Sequence, residues 1–266
     1  MLLSRGVTCI VAVLLISGTT SALSPHTAAL NTYQADQGYP QKALDTFEQY
    51  LRTAYTGIGL EKNGLDFKVF RYAVIGYYSL LRDGSVTRRG ILSVIDYRKS
   101  CHEKRLYIID LRQNTLLLHT LVAHGKHTGN MYAEHFSNES SSLQSSLGFF
   151  VTGDTYYGEY GYSLYLDGLD IGFNDNARSR ALVVHGAHYV SKSFVKRYGR
   201  IGWSWGCPAV PEKVHRQIID TIKGGTCLFQ FHDDLSYLRR SVHLNVWRAA
   251  FQFMEEKQSM SARPDS

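Results

Sequence analysis

A mainly β protein of the α+β class, a β-sandwich or barrel with flanking N- and C-terminal helices, is what this 266-residue sequence predicts. Seven short runs rich in β-branched and aromatic residues fill its middle, separated by polar turns. Apolar residues recur at helical spacing chiefly towards the two ends. A hydrophobic share of 44% against 20% charged supports a buried core and argues against disorder or a coiled coil over most of the chain.

Residues 1–22 read as an export signal: Arg5 supplies the charged start, Val7 to Ile16 the short apolar run, and Thr20-Ser21-Ala22 a small-residue cleavage site. The run is short for a membrane span, so no stable span is expected after cleavage; an uncleaved anchor is the alternative. Residues 23–88 form an N-terminal helical region after a polar lead-in to about residue 40. Leu44, Phe47, Leu51 and Ala54 mark one helix, and Phe70, Val74, Tyr77 and Leu81 a second that Asp83-Gly84 ends.

Residues 89–234 read as one strand-rich domain. Strands are expected at Ile91 to Tyr97, Leu106 to Leu111, Leu116 to Val122, Leu147 to Thr152, Ser163 to Leu166, Arg180 to Val184 and Thr226 to Phe231. Residues 125–146 turn polar and serine-rich, a loop long enough to suggest function. After Cys207, Pro211 suits the first turn of a helix with Val214, Ile218, Ile219 and Ile222 on its apolar face, stopped by Gly224-Gly225. A C-terminal helix is expected over 235–257, with Leu238, Val242, Ala249 and Phe253 on one face, and a disordered tail over 258–266.

Four cysteines are present, and Cys9 leaves with the signal. Three remain, an odd number for an oxidising compartment, so a Cys101–Cys227 pair that leaves Cys207 free is a hypothesis. The net charge of +6 falls to +5 without Arg5, the sole charged residue of 1–22, and suits an anionic envelope polymer. No basic run interleaved with aromatics suggests a nucleic-acid partner.

The chemistry concentrates in two segments. Ala181 to Val184 delivers His185 and Gly186 at a strand end, and Arg200 to Pro211 places Cys207 directly behind Gly206. A thiolate is the nucleophile, and an imidazole can take its proton. A helix starting near Pro211 would add positive potential. Gly206 permits unusual backbone angles and close approach of an acyl group, and the N–H groups of Gly206 and Cys207 are candidate oxyanion donors.

The segment from about Ser146 to Val210 resembles the YkuD-type L,D-transpeptidase domain. That family carries a histidine, a spacer, and then S/T-H-G-C. Here His185 is followed after eighteen residues by Ser204-Trp205-Gly206-Cys207-Pro208, the S-W-G-C-P form of the murein branch. Trp205 replaces the usual second histidine, and Pro208-Ala209 replace the residues after the cysteine. The resemblance implies that Cys207 attacks a peptidoglycan tetrapeptide stem, expels D-alanine and passes the acyl group to an amine, with His185 as base and the Gly186 carbonyl orienting its ring. It implies a periplasmic or cell-envelope enzyme that needs no cofactor, with stem peptides as partners and an envelope protein as a further acceptor.

Arg178, Arg180, Ser204, Trp205 and Tyr157 are the candidate substrate contacts. The two arginines, two apart on one expected strand, would share a face and bind stem carboxylates; a structural pair with Asp170 or Asp175 is the alternative. Tyr156, Tyr157, Tyr160 and Tyr162 could form a platform for glycan or stem, and His124 reads as a loop histidine. Zinc on His185, His188, Cys207, His215 and Cys227 is disfavoured by spacing, and a sortase-like use of Cys227 by its apolar neighbours. A carboxypeptidase or amidase with water as acceptor, and a non-catalytic wall-binding module, remain open.

Overall fold

The computed structural model describes residues 41–261. The expected signal, the lead-in and the last five residues lie outside the described residues.

Helix α1 (Gln41–Ile58) buries Ala43, Phe47, Leu51, Ala54 and Ile58, one stripe of a 3.6-residue period. Asp66 caps helix α2 (Phe67–Arg82), its carboxylate accepting from the Lys68 N–H at 2.8 Å. From Ala73 to Leu81 every residue of α2 is buried, so this helix is sandwiched rather than surface-laid. Where it crosses the sheet, Gly76 lies against the Phe149 ring so closely that any side chain would collide with it.

Eight strands form one mixed sheet: β1 (Ile91–Asp96), β2 (Leu106–Asp110), β3 (Thr115–Thr120), β4 (Gly148–Gly158), β5 (Gly161–Gly168), β6 (Val183–Ala187), β7 (Ala209–Pro211) and β8 (Cys227–Phe231). Their spatial order is β3-β2-β1-β8-β4-β5-β6-β7. The last strand in sequence therefore sits at the centre. β8 is parallel to β1 (Val94 opposite Phe229) and antiparallel to β4 (Phe149 opposite Phe229). Phe149 and Phe229 stack at 4.1 Å under α2. One core unites Phe47, Phe70, Phe149, Phe229 and Phe253, so the boundary expected at residue 88 runs through continuous apolar packing.

Three further helices differ from their expected form. Pro211 ends strand β7, and helix α4 begins only at His215 (His215–Ile222). The Val214 N–H bonds to the Pro211 carbonyl in a turn, which delays the helix by one turn. The C-terminal helix is broken into α5 (Leu235–Arg240), a 3-10 turn (Val242–Leu244) and α6 (Val246–Ser261). Two residues make the break: Ser241 leaves the helical conformation and donates its hydroxyl to Asp170 at 2.6 Å, and Asn245 caps the next helix by accepting from the Arg248 N–H at 3.1 Å. Helix α6 runs past Gln258 to Ser261, further than the expected tail boundary. A short helix α3 (Lys192–Tyr198), bracketed by Ser191 and Gly199, was not anticipated. No described helix is long and apolar enough to cross a membrane.

Candidate active site

The site lies where β5, β6 and β7 adjoin. His185 pairs with Ser163 of β5 on one side and with Ala209 of β7 on the other. Cys207 stands two residues before Ala209, just ahead of β7, so it lies beside His185, which sits in the middle of β6 rather than at the strand end expected.

His185 is buried. Its Nδ1 lies 3.1 Å from the Gly186 carbonyl. A carbonyl only accepts, so Nδ1 carries the proton and Nε2 is left with its lone pair. Burial lowers the imidazole's pKa and holds it neutral, which is the form a base needs. Gly186 must be glycine, because a Cβ there would sit 2.7 Å from the His215 ring. Tyr160, at the tip of the β4–β5 hairpin, lays its ring 4.5 Å from that of His185.

Cys207 is half-buried. Its sulfur accepts from the Val183 N–H at 3.5 Å and faces the Ala181 carbonyl at 3.8 Å. Ala181 adopts a left-handed φ of 51°, which places a turn at the position expected to be mid-strand. Burial pushes the thiol's pKa up, and the Val183 N–H and the Arg180 charge oppose that rise. With α4 starting at His215, the helix expected to open near Pro211 begins a turn later, eight residues beyond Cys207.

The nucleophile turn is cross-braced. Ser204 donates its hydroxyl to the Cys207 carbonyl at 2.6 Å and accepts from the Gly206 N–H at 3.2 Å. Ser204 is buried, and both of these bonds hold the turn together. The Gly206 N–H is likewise committed, whereas the Cys207 N–H has no partner among the described residues beyond its own sulfur. Gly206 has φ +124°, and a Cβ would meet the Gln144 carbonyl at 2.7 Å. Ser145, buried and unremarked in the sequence, donates to the Gly206 carbonyl at 3.1 Å and accepts from the Gly125 N–H at 3.0 Å. Behind it, buried Arg105 donates to Nδ1 of His124 at 2.8 Å, and the His124 carbonyl accepts from the Ser204 N–H. His124 is therefore part of the frame under the turn.

The arginines do not share a strand face. Strand β6 starts at Val183, and both precede it in a run of turns. Arg178 makes a two-pronged ion pair with Asp167, at 2.6 Å on each prong, rather than with Asp170 or Asp175. Arg180 turns the other way, into residues 137–146. Asp170 instead accepts from the Phe149 N–H and from Ser241. The tyrosines also part: Tyr156 stacks on Tyr165, Tyr157 tilts against Tyr162 and accepts from Arg216, and Tyr160 alone of these rings stacks on His185. Strand alternation on the long hairpin separates them. Trp205 and Tyr157, each 70% exposed, face solvent, as does Arg178 while paired with Asp167.

All three described cysteines are free. Cys101 is buried in a small cluster with Leu121 and Ile201, and Cys227 in the main core, so the Cys101–Cys227 pair is not formed. No group of three or more metal-ligating side chains gathers among the described residues.

Solved structures resemble the chain at low identity. An L,D-transpeptidase from Mycobacterium smegmatis shares 12% identity, covering 54% of this chain and 59% of its own (TM-score 0.33). The helical cell shape determining protein Pgp2 from Campylobacter jejuni shares 10%, covering 71% and 64% (TM-score 0.39). The L,D-transpeptidase from Xylanimonas cellulosilytica shares 14%, covering 63% and 81% (TM-score 0.30). The chain thus spans less than two thirds of the first two. No curated protein matches it. The sequence model of the L,D-transpeptidase catalytic domain matches residues 61–231, from the loop before α2 to the end of β8, taking in both His185 and Cys207. With more than half of its length matched, the chain belongs to the L,D-transpeptidase catalytic domain family.

Proposed function

We propose that the protein is an exported cysteine acyltransferase that forms a thioester with a peptidoglycan tetrapeptide stem and transfers the acyl group to an amine. The observation that carries this reading is the buried, neutral His185, its Nδ1–H held by Gly186, on the strand beside the one that follows Cys207. In the first half-reaction the Cys207 sulfur bonds to the carbonyl carbon of the stem residue preceding the terminal D-alanine. The thiol proton passes to Nε2 of His185. The Cys207 N–H stabilises the oxyanion, its peptide held in place by Ser145. Collapse breaks the C–N bond, and the leaving amine takes the proton back from His185. In the second half-reaction an acceptor amine attacks the thioester, gives its proton to His185, and the sulfur leaves and is reprotonated. No step calls for a cofactor. Trp205 and Tyr157 are the surfaces a stem or glycan would touch. An envelope location fits the signal-like residues 1–22 and the net charge of +6.

The test is incubation of the mature protein with a diaminopimelate-containing tetrapeptide and a second stem as acceptor. Release of D-alanine with a cross-linked product, both lost in Cys207→Ala, is the expected result. D-alanine release without cross-linking would assign the carboxypeptidase reading. No release by folded wild-type protein would overturn the proposed reaction.

A further inference from the structure

Arg180 is a cation with no ion pair among the described residues; the Glu139 carboxylate acts on it only from beyond ion-pair distance. Its Nη1 donates to the Ser137 carbonyl and the Ser146 hydroxyl, both at 2.6 Å. Its Nη2 donates to the Ser142 hydroxyl at 3.1 Å and the Gln144 carbonyl at 2.7 Å. All four acceptors are neutral, so they fix the guanidinium without cancelling its charge. Among the described residues no carboxylate lies within ion-pair distance of it, whereas Arg178 two residues earlier is neutralised by Asp167. The fixed charge faces the nucleophile turn: a Cβ on Gly206 would lie 3.5 Å from Nη2. Gly206 thus has two jobs, its φ of +124° and a bare Cα that leaves the turn close to the guanidinium.

We propose that Arg180 is the positioning charge of this site, steadying the Cys207 thiolate from behind the Gly206–Cys207 turn instead of binding a substrate carboxylate. The inference rests on reading Cys207 as the nucleophile. Its physics is that of a charge in a half-buried setting, where attraction exceeds its value in water several-fold. The thiol's own burial works against ionisation, and Arg180 offsets part of that effect. The other titratable groups around Cys207 are neutral near pH 7. His185 on β6 has its pKa lowered by burial. Tyr97 beyond β1, Tyr156 and Tyr160 on the hairpin, and Tyr189 after β6 have theirs raised by burial. That leaves Arg180 as the one permanent charge whose field reaches the thiol among the described residues.

The test is the pH dependence of Cys207 alkylation by iodoacetamide, read by peptide mass. Cys101 and Cys227 are buried and do not compete in the folded protein. Arg180→Met should shift the thiol titration up by about one pH unit, so that alkylation at pH 7 slows about tenfold. Arg180→Lys, which keeps the charge, should stay near wild type. Ser142→Asp leaves Arg180 in place but gives it a carboxylate partner, and should shift the titration as Arg180→Met does. Ser146→Ala, which loosens the loop and keeps the charge, should not. A wild-type profile in folded Arg180→Met or in Ser142→Asp would overturn the inference, as would an equal shift in Ser146→Ala. If Arg180→Met does not fold, Ser142→Asp decides. Alkylation needs no stem peptide, so failure of the proposed reaction and failure of this inference are separately visible.

Discussion

Ser145 donates its hydroxyl to the Gly206 carbonyl, and that carbonyl belongs to the same peptide plane as the Cys207 N–H. Anchoring one end of the plane fixes the direction of the other, which is what a preorganised oxyanion donor requires. Ser145→Ala is therefore expected to lower kcat about tenfold with KM unchanged, a loss matching one hydrogen bond of about 1.4 kcal/mol; steady-state kinetics on stem peptide beside a melting curve checks it. His185 makes a second residue-scale prediction. Its base form is neutral, and burial lowers its pKa below the ordinary 6.5, so the acid limb of kcat/KM should have its midpoint below 6.5. A pH–rate profile with that limb at or above 6.5 would contradict the assignment. Both candidate residues stood out in the sequence, because a thiol behind glycine and a histidine next to a short apolar run are local patterns, although His185 lies inside β6 rather than at its end. Ser145, the contact of Tyr160 with His185, and the true partners of Arg178 and Arg180 were not. They meet the site across 61 residues for Ser145 and Gly206, and 11 for Arg178 and Asp167, separations that no local period encodes.

The helix–sheet contact at Gly76 sets how closely α2 can approach β4. Gly76→Ala forces either the Phe149 ring or the helix to move and should cost about 1–3 kcal/mol, measured by denaturant unfolding. The same measurement on Asp234→Ala should show a loss of about 1 kcal/mol, the usual worth of a helix cap, because the Tyr237 N–H loses its acceptor. Periodicity reveals α1 and α2 because each buries a stripe or a broad face over four turns or more. It fails at α5 and α6, where apolar positions continue in phase across a break that Ser241 and Asn245 make through side-chain hydrogen bonds. It also misses α3, which buries nothing, although Ser191 and Gly199 bracket it as cap residues do. Strand β7 escapes detection for another reason: three residues are too few to show alternation, and Pro211 mimics a helix start.

Acid stability is a property of the whole molecule. His124, buried and bonded to Arg105, has its pKa lowered to about 3, first by burial and then by the arginine's charge. An imidazole with a folded value below its unfolded value binds protons better when unfolded. Its contribution is therefore complete above about 6.5 and is lost as pH falls from there towards about 3, at about 1.4 kcal/mol per pH unit for one proton. Unfolding free energy should fall as pH drops from about 6 to about 4, and His124→Gln should flatten that fall by about one proton. The α+β class was legible from composition and run lengths, but the strand order was not, since β8 reaches the sheet centre only through long-range pairing with β1 and β4. That insertion unites helices and strands in one core and carries the frame on which the β5–β6–β7 site rests. The central claim, that Cys207 is an acyl-accepting nucleophile, is tested most directly by intact mass after exposure of the mature protein to a carbapenem. The account predicts a single acyl adduct on wild type and none on Cys207→Ala; an unmodified wild-type mass from folded, reduced protein, or an adduct that survives the substitution, would contradict it.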